Sequence, residues 1–562
     1  MHDVGHMQKE RTTRDVGHGM TGRALTQSCR ITSSLARCFP SSKLGTIGTT
    51  ANLLVYLTTV YGMSGASAAT LLSLWSGTVN LAPLLGAFLS DSYLGRYTTI
   101  ALASIASFLG MIILTLTAAV PSLHPAAHPN PTGPSTLQMA VLLASFALLA
   151  VGAGGIRPCN LAFGADQFDR APPRAKGHQQ LLQLVLLHLH HRHDDLRHLI
   201  IYLQSNVNWA LGSLSRPRSW ASPARSSSWA RDSTPFTSFA QVLVAAARKR
   251  RLPAPSPADL YDPPHRSSLV AKIAYTDQFL CLDKAAVRTP DDDLGNNPWR
   301  LCTLQQVEEV KCLARLLPVW SSGIIYYIVL TNLGNYNVLQ AMQTDRHVGR
   351  GGFQIPAGSF VVFNMLALTL WLPFYDGVLV PAMQRVTKRE GGITQLQRIG
   401  VGIVLSIVTM LVAAAVERHR RRVGDATSCF LLVPQQMLAG LSEAFAVIGQ
   451  VDFYYKQFPE NMRSVAGALL FLGFAIASYA SGLMVSVVHR TTGGRDGRPD
   501  WLAQDLNQGR VDLYYLLIAA MAAVNLVYFV VCARWYRFKK PAAADDDDVE
   551  LELEGKAAAP PV

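Results

Sequence analysis

The stretch Gly152-Ala-Gly-Gly-Ile-Arg-Pro-Cys-Asn-Leu-Ala-Phe-Gly-Ala-Asp-Gln-Phe168 decides how this chain is read. The residues before it, about Thr136 to Val151, are apolar enough for a membrane-crossing helix. Then come glycines and one arginine fixed in place by Pro158, with a polar turn expected after Phe168. A cation at the end of an apolar span is costly unless something uses it, so Arg157 is a candidate functional residue. A side chain snorkelling to the membrane edge is the competing reading.

Composition points to the same environment. Of 562 residues, 49% are hydrophobic and only 15% charged, against about 25% charged in an ordinary soluble domain. Mean hydropathy is +0.20. Several apolar runs reach the ~20 residues that a spanning helix needs. The net charge of +13 is spread between apolar spans rather than gathered in one patch, which argues against nucleic acid as a partner. Eight cysteines are scattered with no CxxC pair, so neither a disulfide framework nor a zinc site is indicated. No nucleophile–base pairing, phosphate loop or metal spacing stands out, and the chain reads as neither an enzyme nor a cofactor binder.

GAGGIRPCN followed by FGADQF resembles the signature of the plant nitrate and peptide transporter family, a branch of the proton-dependent oligopeptide transporters. Further similar stretches follow in the family's order: Gly86-x-x-x-x-Asp-Ser-Tyr-Leu-Gly-Arg96, Asn297-Pro-Trp-Arg-Leu-Cys-Thr303, Tyr375-Asp376, Glu443 through Tyr455, and Trp501 through Arg510. The resemblance covers roughly residues 43–177 and 235–540. It implies an all-α major facilitator fold of two six-helix bundles, with substrate bound between them and rocking-bundle alternating access.

Taken in order, residues 1–42 form an atypical segment expected to be disordered, and 43–234 form the first bundle. Its first span begins at about Leu44. Here the family carries a Glu-x-x-Glu-Arg/Lys motif tied to proton coupling, and the aligned window is Phe39-Pro-Ser-Ser-Lys43. Only the cation Lys43 matches. Carboxylates in a membrane cavity can carry protons, whereas Phe and Ser cannot, so proton coupling by this route is not supported. The second span, about Leu71 to Leu89, runs into Gly86, Asp91, Gly95 and Arg96, which resemble a conformational latch between helices two and three. The third span is about Thr98 to Val120.

After Phe168 the resemblance lapses. Leu181-Leu-Gln-Leu-Val-Leu-Leu-His188 is followed by a His- and Asp-rich run through His198. The bases TTC AAC TGG TAC TAC TTC ACC, which encode the family's Phe-Asn-Trp-Tyr-Tyr-Phe-Thr, give Leu-Gln-Leu-Val-Leu-Leu-His when read one base early. Ser226-Ser-Ser-Trp-Ala-Arg-Asp-Ser-Thr234 likewise follows from an apolar helix ending read one base late. Residues 178–198 and 213–234 therefore read as out-of-frame translation, damaging helices five and six. Dense His can bind zinc, which is the alternative for 188–198, but no ligand geometry is defined there.

Residues 235–312 read as a cytosolic linker whose Arg248-Lys-Arg-Arg251 cluster obeys the positive-inside rule; membrane lipid headgroups are a candidate partner beyond a solvated face. Six spans follow in 313–540, at about 313–333, 358–380, 398–417, 428–450, 463–488 and 512–536. Arg418 to Arg422 fall on the predicted outer side and break the rule. The acidic tail 541–562 reads as solvated.

Three further positions carry expectations. Glu443 matches a family glutamate on helix ten, and Arg157 takes the place of a family lysine on helix four. The resemblance implies an Arg157–Glu443 pair that forms when one side closes and parts when it opens. Leu330 stands where a nitrate-specialised member has a histidine, and leucine cannot donate a hydrogen bond to an anion. Tyr326 and Tyr327 either line the cavity or pack helices. The implied activity is secondary-active transport of nitrate, peptides or another small polar or anionic solute, with protons as the family's co-substrate. The implied location is multi-pass in the plasma membrane rather than a vacuolar or plastid one. A non-transporting or decayed member of the same family is the alternative.

Overall fold

The computed structural model describes residues 52–89, 94, 96–125, 134–168, 235–253, 255, 260–263, 273–289, 297, 299–348, 353–388, 392–458, 463–493 and 500–538. The expectations placed on 1–42, Lys43, Asp91, Gly95, 178–198, 213–234 and 541–562 lie outside the described residues.

Nine described helices are long and apolar enough to cross a membrane. They correspond to the expected second, third and fourth spans and to all six of the second half. In chain order the helices are α1 (52–59), α2 (Gly65–Leu89), α3 (Arg96–Ala119), α4 (Thr136–Phe168), α5 (Pro235–Arg248), α6 (Leu304–Met342), α7 (Val361–Phe374), α8 (Val380–Thr387), α9 (Gln395–Val423), α10 (Val433–Gln457), α11 (Arg463–Thr492) and α12 (Val511–Trp535). A π turn, Tyr375–Leu379, joins α7 to α8 as one span. A two-residue antiparallel pair, His347–Val348 with Phe353–Gln354, closes the loop after α6.

Local chemistry fixes where several helices begin. Thr303 opens α6 with a reciprocal cap: its hydroxyl accepts from the Gln306 N–H and the Gln306 side chain accepts from the Thr303 N–H. Thr394 and Gln397 repeat the device at α9. Each cap satisfies two backbone donors that the first helical turn leaves orphaned.

Two sequence expectations are corrected. The helix through Thr136 does not end near Val151; α4 runs on through the glycines and past Arg157 to Phe168, and the polar turn expected after Phe168 lies outside the described residues. Those glycines lie where neighbouring helices come closest. A Cβ on Gly86 of α2 would sit 2.1 Å from the Gly154 carbonyl oxygen, so the crossing of α2 and α4 excludes any side chain there. The seventh span is also longer than 313–333. With 39 residues, α6 is about 58 Å long, nearly twice the ~30 Å hydrocarbon core.

The extra N-terminal turns of α6 enter the linker, whose described residues form a buried core rather than only a solvated face. Val242, Ala245 and Ala246 of α5 pack with Leu260, Ala285, Ala286, Cys302, Val307 and Val310 in a small buried core. Beneath it lies a charge cluster shielded from solvent. Lys311 Nζ is 2.6 Å from Asp283 and 2.8 Å from Glu308, and all three side chains are fully buried. Arg315 reaches Glu308 at 3.4 Å, and the Thr276 hydroxyl donates to Glu308 at 2.7 Å. Tyr275 donates to Asp283 at 3.1 Å. Burial and the adjacent Asp283 charge push the Tyr275 phenol up to about 12, so it stays a neutral donor at cellular pH.

Within the first half, α4 packs on α2 and α3; within the second, α9 packs on α10 and α12, α7 on α10, and α6 on α11 and α12. The halves meet along α2 and α11. The main buried core joins them: Leu53, Leu57, Tyr61 and Leu72 share it with Leu333, Leu339, Val485, Tyr514 and Tyr515. Described hydrogen bonds across this seam run from Thr58 with Met342 to Thr70 with Ser486, Ser73 with Asn335, Ser76 with Ser478, and Thr78 with Tyr479. Small hydroxyl side chains let the helices approach and give them polar contacts.

Arg418 to Arg422 lie at the end of α9 remote from the linker. Of the four arginines there, Arg420 is buried, Arg421 is half-buried, and Arg418 and Arg422 are exposed. Arg420 is fully buried and pairs with Glu417 at 2.8 Å, while also donating to Asn507 at 2.8 Å. Arg418 and Arg421 both face the buried carboxylate of Asp512, at 3.7 and 3.3 Å.

Candidate functional site

Arg157 sits on the face of α4 that meets α2. Its guanidinium donates to the Asn80 side-chain oxygen at 2.8 Å. The Asn80 amide in turn reaches the Ser76 hydroxyl at 3.4 Å, one turn earlier on α2. An arginine carries five donors and no acceptor, so a single amide oxygen leaves most of its hydrogen-bonding capacity open to a further partner.

Glu443 occupies the matching place in the other half. It lies on α10, and its carboxylate accepts from the Asn364 side-chain amide of α7 at 2.8 Å. As with Gly86 and Gly154, a glycine brings these helices together: a Cβ on Gly440 would lie 2.1 Å from the Asn364 carbonyl oxygen. The second and fourth spans of each half thus share one arrangement, a close glycine crossing and an asparagine holding one ionisable side chain. The charge is positive in the first half and negative in the second. Among the described residues Arg157 and Glu443 form no ion pair with each other; each is held inside its own half.

The two tyrosines pack helices. Both are at most 2% exposed. Tyr326 shares a hydrogen bond of 3.0 Å with Ser442, the residue before Glu443. Tyr327 stacks on Phe474 at 3.9 Å between ring centroids and donates to Gln450. Leu330, on the same helix, packs against the second-half core. Gly86 belongs to the helix crossing already described. Arg96 opens α3, and its partners in the expected latch, Asp91 and Gly95, are outside the described residues.

Sequence reading missed Asn80 and Asn364. An isolated asparagine in an apolar span carries no spacing signal, and only the fold sets each beside its charge. It also missed Arg398 of α9, whose guanidinium lies 4.3 Å from the centroid of the Tyr375 ring and donates to the Ala444 carbonyl, next to Glu443, at 3.2 Å. Tyr375 is the first residue of the π turn, a local widening common near functional sites.

Comparison with known proteins agrees with this architecture. A family model described as PTR2, POT family, matches residues 97–184 and 227–498. The chain is 45% identical over 546 residues to Protein NRT1/PTR FAMILY 2.11 of Arabidopsis thaliana, covering 90% of this chain and 87% of that one. It is 40% identical over 576 residues to Protein NRT1/PTR FAMILY 2.9 of the same plant, covering 96% and 98%. In fold it is similar to the crystal structure of an auto-inhibited POT family peptide transporter, with a TM-score of 0.62 and 18% identity over 92% of this chain and 99% of that one.

Proposed function

The chain belongs to the POT family of multi-pass membrane transporters, and on that premise we propose that it moves a small polar or anionic solute, nitrate or a short peptide, by alternating access between its two halves. One observation carries the reading: a cation and an anion stand on corresponding helices of opposite halves, each held by an asparagine rather than by the other. Arg157 offers free donors to a carboxylate or nitrate oxygen, and Glu443 offers an acceptor to an ammonium group. Closure of the halves brings the two charges together around the solute or onto each other, so binding and conformational change share the same groups. Leu330 supplies no donor to an anion, which favours an organic solute, or nitrate at low affinity.

The window aligned with the family's first-helix carboxylates has none, so this transport is proposed to depend weakly on protons. The membrane proposed is the plasma membrane, where uptake is read directly. Oocytes expressing the full chain would be given labelled nitrate and, separately, a labelled dipeptide at two external pH values. Uptake of one of them above control, lost in Arg157→Ala and Glu443→Ala at equal surface expression, is the expected result. Uptake unaffected by either substitution overturns the assignment of the site, and strong acid stimulation overturns the weak proton dependence.

A further inference from the structure

Arg157 is the charge on which the transport reading turns, and its described partner, Asn80, is so far given no role of its own in the cycle. Asn80 accepts from Arg157 through its side-chain oxygen at 2.8 Å and donates through its amide to Ser76 at 3.4 Å. Ser76 is in turn 3.5 Å from Ser478 of α11, across the seam between the halves. The result is a polar chain, Arg157–Asn80–Ser76–Ser478, from the candidate site on α4, through α2, to the opposite half.

Each link has a physical consequence. A bond from a guanidinium to an amide oxygen is worth more than one between neutral groups, because one partner is charged. It competes directly with any bond that Arg157 makes to Glu443 or to an anionic solute. The Asn80 amide keeps its oxygen toward Arg157 because a guanidinium only donates, and this turns its nitrogen to Ser76, which accepts. Ser76 lies on the packed part of the α2–α11 seam, beside the close contact of Gly77 with Tyr479.

We propose that Asn80 is a positioning residue: it holds Arg157 on its own half in the state seen here and, through Ser76 and Ser478, ties that hold to the seam between the halves. The proposal rests on Arg157 taking part in the transport cycle. It assigns Asn80 no contact with solute. Asn80 sets how readily Arg157 is released toward the other half.

The test reads the distance between the linker-face ends of the halves in the full chain, reconstituted in nanodiscs without added solute. Spin-labelled non-canonical residues would be placed at Leu89 and Val386, both exposed, and measured by pulsed dipolar spectroscopy. Arg157→Gln removes the cation that favours closure and shifts the distribution toward longer distances. Asn80→Leu releases Arg157 and shifts it the other way, by about tenfold in the ratio of the two populations. In the Arg157→Gln background Asn80→Leu adds nothing. Asn80→Asp, which keeps the shape and strengthens the hold, lengthens the distances and serves where Asn80→Leu does not fold. Ser76→Ala gives a smaller shift in the direction of Asn80→Leu.

If Arg157→Gln shifts the distribution while Asn80→Leu and Asn80→Asp both leave it as in the parent protein, the proposal fails and the role of Arg157 stands. It fails equally if Asn80→Leu has the same effect with and without Arg157, since Asn80 then acts through packing. A silent Arg157→Gln removes both the proposal and the reading beneath it.

Discussion

A side-chain carbon on Gly86 would lie 2.1 Å from the carbonyl oxygen of Gly154. No rotamer relieves that contact, because the obstacle is backbone, and α4 would have to move away from α2. Arg157 is three residues further along α4 and donates its hydrogen bond to Asn80 of α2, so the same displacement pulls the two apart. Gly86→Ala is expected to cost about 1–3 kcal/mol, the usual range for overpacking. Gly334 is the internal control: nothing lies within 4 Å of its Cβ position, so Gly334→Ala gains helix propensity and is neutral or stabilising by up to about 1 kcal/mol. The melting temperature in detergent should therefore fall for Gly86→Ala and hold or rise for Gly334→Ala.

The buried cluster under the linker makes a second prediction. Glu308 accepts from the Thr276 N–H and hydroxyl and pairs with both Lys311 and Arg315. Removing it leaves two buried cations, Lys311 and Arg315, of which Lys311 keeps its pairing with Asp283. Glu308→Ala is expected to cost about 3–5 kcal/mol, the range for breaking one side of a buried ion pair. Replacing Asp283 and Lys311 together by Leu and Met should cost less than the sum of the two single replacements, because neither charge is then left alone. Thermal melts measure both, and limited proteolysis between residues 250 and 300 should speed up in the Glu308 variant alone.

These charges also show where sequence reading stopped. Apolar length located nine spans to within a few residues at most ends, because lipid requires continuous apolar helix and little else satisfies it. The beginning of α6 was placed late. Glu308, Glu309, Lys311 and Arg315 look like solvated linker residues in a string of letters, and only the fold shows them pairing inside. Arg420 misled for the same reason at the far end of α9. At the site, the two charges were legible from motifs and their holders were not. The repeat of asparagine, glycine crossing and charge in both halves is a relation between helices, and no local window contains it.

Arg420 and Arg422 give a third prediction from one short run of arginines. Arg420 is wholly buried, bonded to Glu417 through two nitrogens and to Asn507 through a third. Glu417 also accepts from Gln340 at 2.7 Å, so this pair ties α6 to α9. Arg420→Gln keeps some bulk but leaves the Glu417 carboxylate buried without its cation, and should cost about 3–5 kcal/mol. Arg422 is exposed, and Arg422→Gln should fall within about 0.5 kcal/mol of the parent. Equal melting temperatures for the two would mean that charge count, not pairing, matters at this end.

The last prediction concerns residues 178–198 and 213–234. The two stretches that match the POT family stop at 184 and resume at 227, a gap that overlaps both segments. As written, 178–198 holds Arg192, Asp194, Asp195 and Arg197 within a few residues. Each costs about 2.5–3.5 kcal/mol at a helix centre, whereas an apolar residue returns only about 0.3–0.6 kcal/mol. No length of flanking leucine available here offsets four such charges. Placed between glycosylation sites in a membrane-insertion reporter, segment 178–198 should fail to insert, and the same bases read in the family's frame should insert. Sequencing transcripts from the source across codons 178–234 should return that frame. A transcript that encodes these residues as they stand, together with a segment that inserts, would sink the reading-frame account and leave helices five and six to be explained as this chain's own.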